Sequence, residues 1–152
     1  MTQARLQHAT LAPEAFNGLV AASNAAKATL GAQLAELVYL RISQINGCAY
    51  CIDMHARSLL KGGEDFQRIN SLVAWREVDF YSERERAALA WAETLAHIDS
   101  ARAPDADFAA VSAHFSDTEV VALTYAAAVI SAFNRIGVAM HLPVKQAPLP
   151  AQ

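Results

Sequence analysis

The chain of 152 residues is 54% hydrophobic and carries 12 basic against 15 acidic residues, a formal net charge of −3. This length and composition allow one domain to bury a core, and they exclude a disordered or collagen-like chain. The charge balance provides no basic field for a phosphate backbone, so no nucleic-acid partner is expected. The first residues lack the basic cluster and apolar run of an export signal, which predicts a cytosolic protein.

The pattern of apolar residues fits helices better than strands throughout the chain. Ala, Leu and Glu abound, and no stretch alternates apolar and polar residues long enough for a strand. We therefore predict an all-α fold that forms one domain over residues 1–152. A first helix begins at Pro13, whose missing N–H would have no partner in a first turn anyway, and ends near Gly31. A second helix covers about 32–45 and is broken by Asn46 and Gly47.

The third predicted helix begins at Cys48 or just before it and runs to Lys61, where two glycines can close it. A further short helix covers 64–75. Two segments, 82–85 and 116–119, have the spacing of a capping box, in which a hydroxyl and a carboxylate satisfy each other's backbone amides. These boxes predict helices over 83–98 and over 117 to about 140.

The last predicted helix is apolar around much of its circumference, so we expect it to be central or buried between subunits. Its apolar run, 120–133, is interrupted by two hydroxyl residues and is shorter than the roughly 20 residues that a membrane span needs. We therefore predict no membrane association. The tail from Leu142, with Pro143, Pro148 and Pro150, is expected to be irregular.

The chain contains two cysteines. In a reducing cytosol, a pair this close in sequence is more often catalytic or metal-binding than a structural disulfide. Cys48, Cys51 and His55 lie at i, i+3 and i+7, so they project from one face of the third helix. At the first turn, free backbone N–H groups and the positive helix end favour the thiolate of Cys48. A thiolate oxidised by a peroxide becomes a sulfenic acid, which a second cysteine one turn away converts into a disulfide. Because imidazole titrates near neutral pH, His55 is a candidate acid, base or both.

Other interpretations of the same residues remain open at this point. The cysteines can be small buried hydrophobes and His55 a hydrogen-bonded core histidine. Two thiolates, the imidazole and the carboxylate of Glu36 would also form a tetrahedral zinc set, although one helix would then supply three ligands. A haem-attachment motif is excluded because Ile52 follows the second cysteine where a histidine is required.

The same residues resemble those of a known family. Glu36 lies twelve residues before Cys48, Cys51 three after it and His55 four further on. These offsets match the E…C-x-x-C-x-x-x-H pattern of the alkylhydroperoxidase AhpD group in the carboxymuconolactone decarboxylase superfamily. The resemblance covers a core of about 14–140 and includes three further segments: 74–77, 82–89 and 133–135.

The resemblance implies a bundle of about six to seven helices that assembles as a homo-oligomer, a trimer or a hexamer. It implies reduction of organic hydroperoxides and recycling of a redox-active disulfide, Cys48–Cys51, by a dithiol such as a lipoylated protein. No metal or cofactor is expected. In the family's usual scheme Cys51 attacks the peroxide, Cys48 is the more exposed sulfur that exchanges with the reductant, and Glu36 with His55 relays protons. The helix-end argument instead favours Cys48 as the thiolate, so the assignment within the pair stays open.

The sequence departs from some members of the family at Tyr50, where those members have a histidine before the second cysteine. A phenol donates a hydrogen bond but does not titrate near neutral pH, so the peroxidase efficiency is left open. Two alternatives to a peroxidase are the lactone decarboxylation that names the superfamily and a non-catalytic, redox-sensing oligomeric module. The remaining histidines have no partner at ligand spacing and are assigned no function: His8, His97, His114 and His141.

Overall fold

Helices make up most of residues 3–148, the part of the chain that the computed structural model describes, and no strand occurs among them. The predicted all-α fold is therefore confirmed. Nine α-helices and one 3-10 helix follow one another in this part: α1 His8–Leu11, α2 Pro13–Leu30, α3 Ala32–Asn46, α4 Ala49–Lys61, α5 Phe66–Ser71, the 3-10 helix Leu72–Glu77, α6 Glu83–Ala96, α7 Ile98–Ala101, α8 Asp105–Ser112 and α9 Asp117–Ala139.

The structure has more helices than the six to seven expected, because α1, α7 and α8 were not predicted. These helices contain four, four and eight residues, too few turns to produce a recognisable period. The single helix predicted at 64–75 is α5 followed by the 3-10 helix, which is interrupted at Ala74 by a non-helical backbone (φ −122°, ψ 35°). The helix predicted at 83–98 ends two residues earlier, at Ala96.

α3 lies between two apolar clusters and is buried around most of its circumference. Tyr39 and Ile42 belong to a cluster shared with α2, α6, α8 and α9. Leu37 and Leu40 belong to a second cluster, shared with α4, α5, the 3-10 helix and α6. A polar side chain in the middle of α3 is therefore withdrawn from water and needs partners inside the fold.

Both predicted capping boxes are present, Ser82 with Glu85 at the start of α6 and Ser116 with Glu119 at the start of α9. α9 packs along α2 and α3 and also contacts α6. Among the described residues, α9 alone is long and apolar enough to cross a membrane by length and composition, with a mean hydropathy of 1.4 over the tested window. Half of that window is buried inside the fold, which is the packing of a central helix.

The chain after α9 has no regular structure over 142–148, as predicted, and Pro150 lies outside the described residues. Arg57 of α4 holds this tail in place. Its guanidinium donates to the carbonyl oxygens of Ala147 and Pro148 at 2.9 and 2.7 Å and is paired with Asp53 at 2.9 Å. The tail therefore lies against α4, the helix that carries the cysteines.

Candidate active site

A tight turn between α3 and α4 places Cys48. Gly47 adopts a left-handed conformation (φ 66°), which a side chain disfavours. The N–H groups of Gly47 and Cys48 donate to the carbonyls of Gln44 and Ser43 at 3.3 and 3.1 Å, which closes α3. Cys48 thus becomes the N-cap of α4, and its Sγ accepts the N–H of Cys51 at 3.3 Å.

Cys48 and Cys51 are joined by a disulfide, with their Cα atoms 5.3 Å apart. Their exposed fractions are 1% and 3%, and Cys51 lines a cavity. Gly137 of α9 lies against the pair, since a Cβ placed there would be 2.8 Å from Cys48 Sγ. The expectation that Cys48 is the more exposed sulfur is therefore wrong for the single chain, because the backbone of α9 covers it.

His55 and Glu36 form a buried hydrogen-bonded pair between α4 and α3. His55 Nδ1 donates to Glu36 Oε2 at 2.6 Å, and the other carboxylate oxygen is paired with Lys27 of α2. Because an ionised carboxylate only accepts hydrogen bonds, Nδ1 carries the hydrogen, and a neutral imidazole then has its lone pair on Nε2. This Nε2 is buried without a hydrogen-bond partner in the described structure.

The carboxylate of Glu36 is stabilised in its charged form. Burial by itself raises the pKa of Glu36, but the hydrogen bonds from His55 and Lys27, together with their charges, outweigh burial and leave this pKa below its ordinary value. Tyr39 lies beside this pair, with its ring centroid 5.2 Å from that of His55 and the two ring planes tilted by 48°. Burial and the nearby charge of Glu36 raise the pKa of Tyr39 although Ser23 bonds its hydroxyl, so Tyr39 is a neutral phenol in the cavity wall.

The cavity beside Cys51 and His55 has a volume of about 490 Å³, within the range of sites for small organic molecules. Two of its lining residues, Tyr50 and Met54, are exposed to solvent. His8, to which the sequence assigned no function, also contributes to the wall. The apolar part of the lining comes mainly from α2, α4 and α9: Phe16, Val20, Tyr39, Tyr50, Met54, Val129, Ile130, Phe133 and Ile136.

Comparison with known proteins identifies the family of this chain. Residues 11–94 match the carboxymuconolactone decarboxylase family, and this segment includes Glu36, both cysteines and His55. The chain belongs to the carboxymuconolactone decarboxylase family.

Relatives of this family member match it over nearly the whole chain, in sequence or in structure. The uncharacterized protein YdfG of Bacillus subtilis (strain 168) is 39% identical over 137 residues, which are 90% of this chain and 93% of YdfG. A crystal structure from Agrobacterium tumefaciens, of a protein of unknown function whose description suggests the antioxidant defence protein AhpD, matches with a TM-score of 0.88 and 39% identity over 94% of this chain and 100% of that one. An uncharacterized peroxidase-related protein from Ralstonia eutropha JMP134, described as an alkylhydroperoxidase AhpD core, matches with a TM-score of 0.79 over 90% of this chain and 74% of that one. At 20% identity this last likeness shows the fold alone.

The structure of this carboxymuconolactone decarboxylase family member brings Glu36, Cys51 and His55 to one cavity, with Cys48 behind Cys51. The zinc set considered from the sequence needs both cysteines as thiolates, whereas their sulfurs are bonded to each other. Among residues 3–148, no group of three or more His, Cys, Asp and Glu side chains is arranged to hold a metal ion. The arrangement instead provides a sulfur, a nitrogen base and an apolar space for a small molecule.

Sequence reasoning missed the residues that α2 and α9 contribute to this site. Lys27 pairs with Glu36, and Gly137 packs on the disulfide. Asn134, which is 1% exposed, donates to Ser43 Oγ at 2.9 Å and accepts from Asn46 at 3.0 Å. These hydrogen bonds tie α9 to the end of α3 just before Cys48. Asn134 lies in the segment 133–135 of the family resemblance, but none of these residues has a diagnostic spacing to the cysteine motif, so only the fold reveals their contacts.

Replacing Gly137 with Ala is expected to destabilise the oxidised protein by about 1 to 3 kcal/mol, the usual cost of overpacking a core. The added methyl would lie 2.8 Å from Cys48 Sγ and 3.5 Å from Cys51 Sγ, and a disulfide sulfur cannot rotate away. Urea denaturation of the oxidised variant measures this change.

The matched control is Gly18→Ala, because Gly18 is an exposed position in α2 with nothing within 4 Å of the added methyl. A helix gains roughly 0.5 to 1 kcal/mol from such a change. Equal stability of the two alanine variants would contradict the close packing of α9 on the disulfide.

Proposed function

We propose that this protein is a thiol-dependent hydroperoxide reductase whose C-x-x-C pair cycles between dithiol and disulfide. One observation carries the proposal. The side chains of Cys51 and His55 line the same apolar cavity, the buried His55 Nε2 has no hydrogen-bond partner among the described residues, and Cys51 is already bonded to the cysteine that would resolve its oxidised form. The AhpD-like description of the Agrobacterium tumefaciens relative supports the same activity.

In the first step the reduced Cys51 attacks the hydroperoxide. His55 Nε2 takes the proton of the Cys51 thiol, and the thiolate forms a bond to the terminal peroxide oxygen while the O–O bond breaks. The leaving alkoxide receives the proton back from His55 and departs as an alcohol. Cys51 is then a sulfenic acid, oxidised by two electrons while the peroxide is reduced by two. Glu36 holds the imidazole in the orientation and tautomer that this proton transfer needs.

In the second step Cys48 attacks the sulfur of the Cys51 sulfenic acid. The S–S bond forms, the S–O bond breaks, and the hydroxyl leaves as water with the proton of the Cys48 thiol. The N-terminal position of Cys48 on α4 favours its thiolate, because the backbone N–H of Cys51 donates to its sulfur and the positive end of the helix lies there. The helix-end argument and a Cys51 nucleophile are thereby compatible, since each cysteine acts as a thiolate in a different step.

A dithiol closes the cycle by thiol–disulfide exchange and leaves as its own disulfide. We propose dihydrolipoamide or a lipoylated protein as the chemical class of reductant, and an organic hydroperoxide with an apolar body as the substrate of the apolar cavity. A cytosolic location is part of the same proposal, since a reducing compartment is needed to regenerate the dithiol. Homo-oligomeric assembly is also part of it.

The test is steady-state consumption of cumene hydroperoxide with dihydrolipoamide as reductant. Wild-type protein is expected to turn over many times, and the double variant Cys48→Ser, Cys51→Ser to show only the uncatalysed rate. Disulfide formation without multiple turnover would favour the redox-sensing module instead. Decarboxylation of a carboxymuconolactone that survives in the double variant would favour the lyase.

A further inference from the structure

Lys27 of α2 extends the His55–Glu36 pair by one more charged group. Its ammonium is paired with Glu36 Oε1, while the other carboxylate oxygen accepts the hydrogen bond from His55. The Lys27 side chain is 32% exposed, whereas those of Glu36 and His55 are each 6% exposed. A cation at the solvent side of the cavity wall therefore neutralises a buried carboxylate that orients the imidazole.

The protonation of the buried pair decides whether His55 can act as a base. When Glu36 is ionised and the imidazole is neutral, the hydrogen sits on Nδ1 and Nε2 has a lone pair. One added proton gives either an imidazolium beside a carboxylate or a neutral imidazole that accepts from a carboxylic acid. In both arrangements Nε2 carries a hydrogen, so the base is lost.

We propose that Lys27 is a positioning residue that keeps Glu36 as a carboxylate and thereby keeps a lone pair on Nε2 of His55, a residue that lines the cavity. Without the ammonium, the buried carboxylate has only His55 as a partner. The Glu36–His55 pair then takes up its extra proton at a higher pH, because an uncompensated buried charge is costly.

The surroundings of Glu36 contain few other groups that could replace this charge. From α2 it meets Lys27 and from α4 His55. Its own helix contributes Tyr39, which is neutral and whose ring lies 5.6 Å from the Lys27 ammonium. The α9 wall of the cavity presents the apolar residues Val129, Ile130 and Phe133.

The test compares wild-type protein with Lys27→Met, Lys27→Gln and Lys27→Arg, all in the reduced state. Side-chain ¹⁵N NMR of labelled histidine reports which imidazole nitrogen carries hydrogen, from about pH 5 to about pH 9. The matched control is Lys61→Met, which removes the same charge from the exposed end of α4.

We expect the Nε2–H form of His55 to persist about one pH unit higher in Lys27→Met and Lys27→Gln than in wild type. Lys27→Arg restores the wild-type titration, and Lys61→Met leaves it unchanged. The pH below which hydroperoxide turnover is lost should rise by the same amount; this readout rests on the proposed function. An unchanged ¹⁵N titration in Lys27→Met overturns the role of Lys27 even when turnover is normal. A shifted ¹⁵N titration with no turnover in any variant supports Lys27 and instead overturns the proposed function.

Discussion

Reduced Cys51→Ser is expected to consume hydroperoxide no faster than the uncatalysed reaction, whereas Cys48→Ser still consumes its first equivalent. The two sulfurs differ in their surroundings, since Cys51 lines the cavity and Cys48 is 1% exposed beneath Gly137. A peroxide in the cavity therefore reaches Cys51 and meets His55 one helical turn away. Rapid-mixing measurements of the first equivalent of cumene hydroperoxide, with a sulfenic-acid trapping reagent, separate the two variants.

The Cys48→Ser variant also serves as the matched control, because it removes one sulfur from the same disulfide. Its Cys51 should accumulate as a sulfenic acid that the reagent traps, and it should turn over slowly with dihydrolipoamide, since no intramolecular disulfide can form and the reductant must attack the sulfenic acid directly. The opposite pattern, in which Cys51→Ser reacts and Cys48→Ser does not, would make Cys48 the nucleophile. The helix-end argument would then outweigh access from the cavity.

His55→Asn is expected to lower the rate of reaction with hydroperoxide by between about a hundredfold and about ten thousandfold, the usual contribution of a general acid–base group. The asparagine amide can still donate to Glu36 but provides no base for the Cys51 thiol. The residual rate should rise with pH as the thiol ionises without assistance. Stopped-flow rates of peroxide consumption over a pH series measure both effects.

His97→Asn is the control for this substitution, because His97 is exposed at the end of α6 and does not line the cavity. It should react within a factor of about two of wild type, as expected for a surface residue away from the chemistry. A His55→Asn rate close to that of His97→Asn would remove His55 from the proton transfer.

The longer helices were predictable from the sequence because their start and stop signals are local. Pro13 begins α2, and the Ser82 and Ser116 capping boxes begin α6 and α9. Each signal acts within one helical turn, so no knowledge of the tertiary structure is needed. The break at Ala74 has no such local signal in the sequence.

The candidate site was predictable as far as it lies on one motif. Cys51 and His55 are one turn apart on α4, and the family pattern supplied Glu36, whose burial the composition of α3 alone did not indicate. Lys27 and Gly137 could not be found in this way, because they lie on α2 and α9, and the motif does not specify how these helices pack against α3 and α4. The exposure of Cys48 was wrongly expected for the same reason, since the covering backbone belongs to α9.

The most direct test of a cycling cysteine pair is a titration of the reduced protein with cumene hydroperoxide while free thiols are counted. We predict that one equivalent removes both thiols, that mass spectrometry finds an intramolecular Cys48–Cys51 disulfide, and that dihydrolipoamide restores both thiols for a further equivalent. Thiols that persist in excess hydroperoxide, in protein shown to be folded and reduced, would contradict the account.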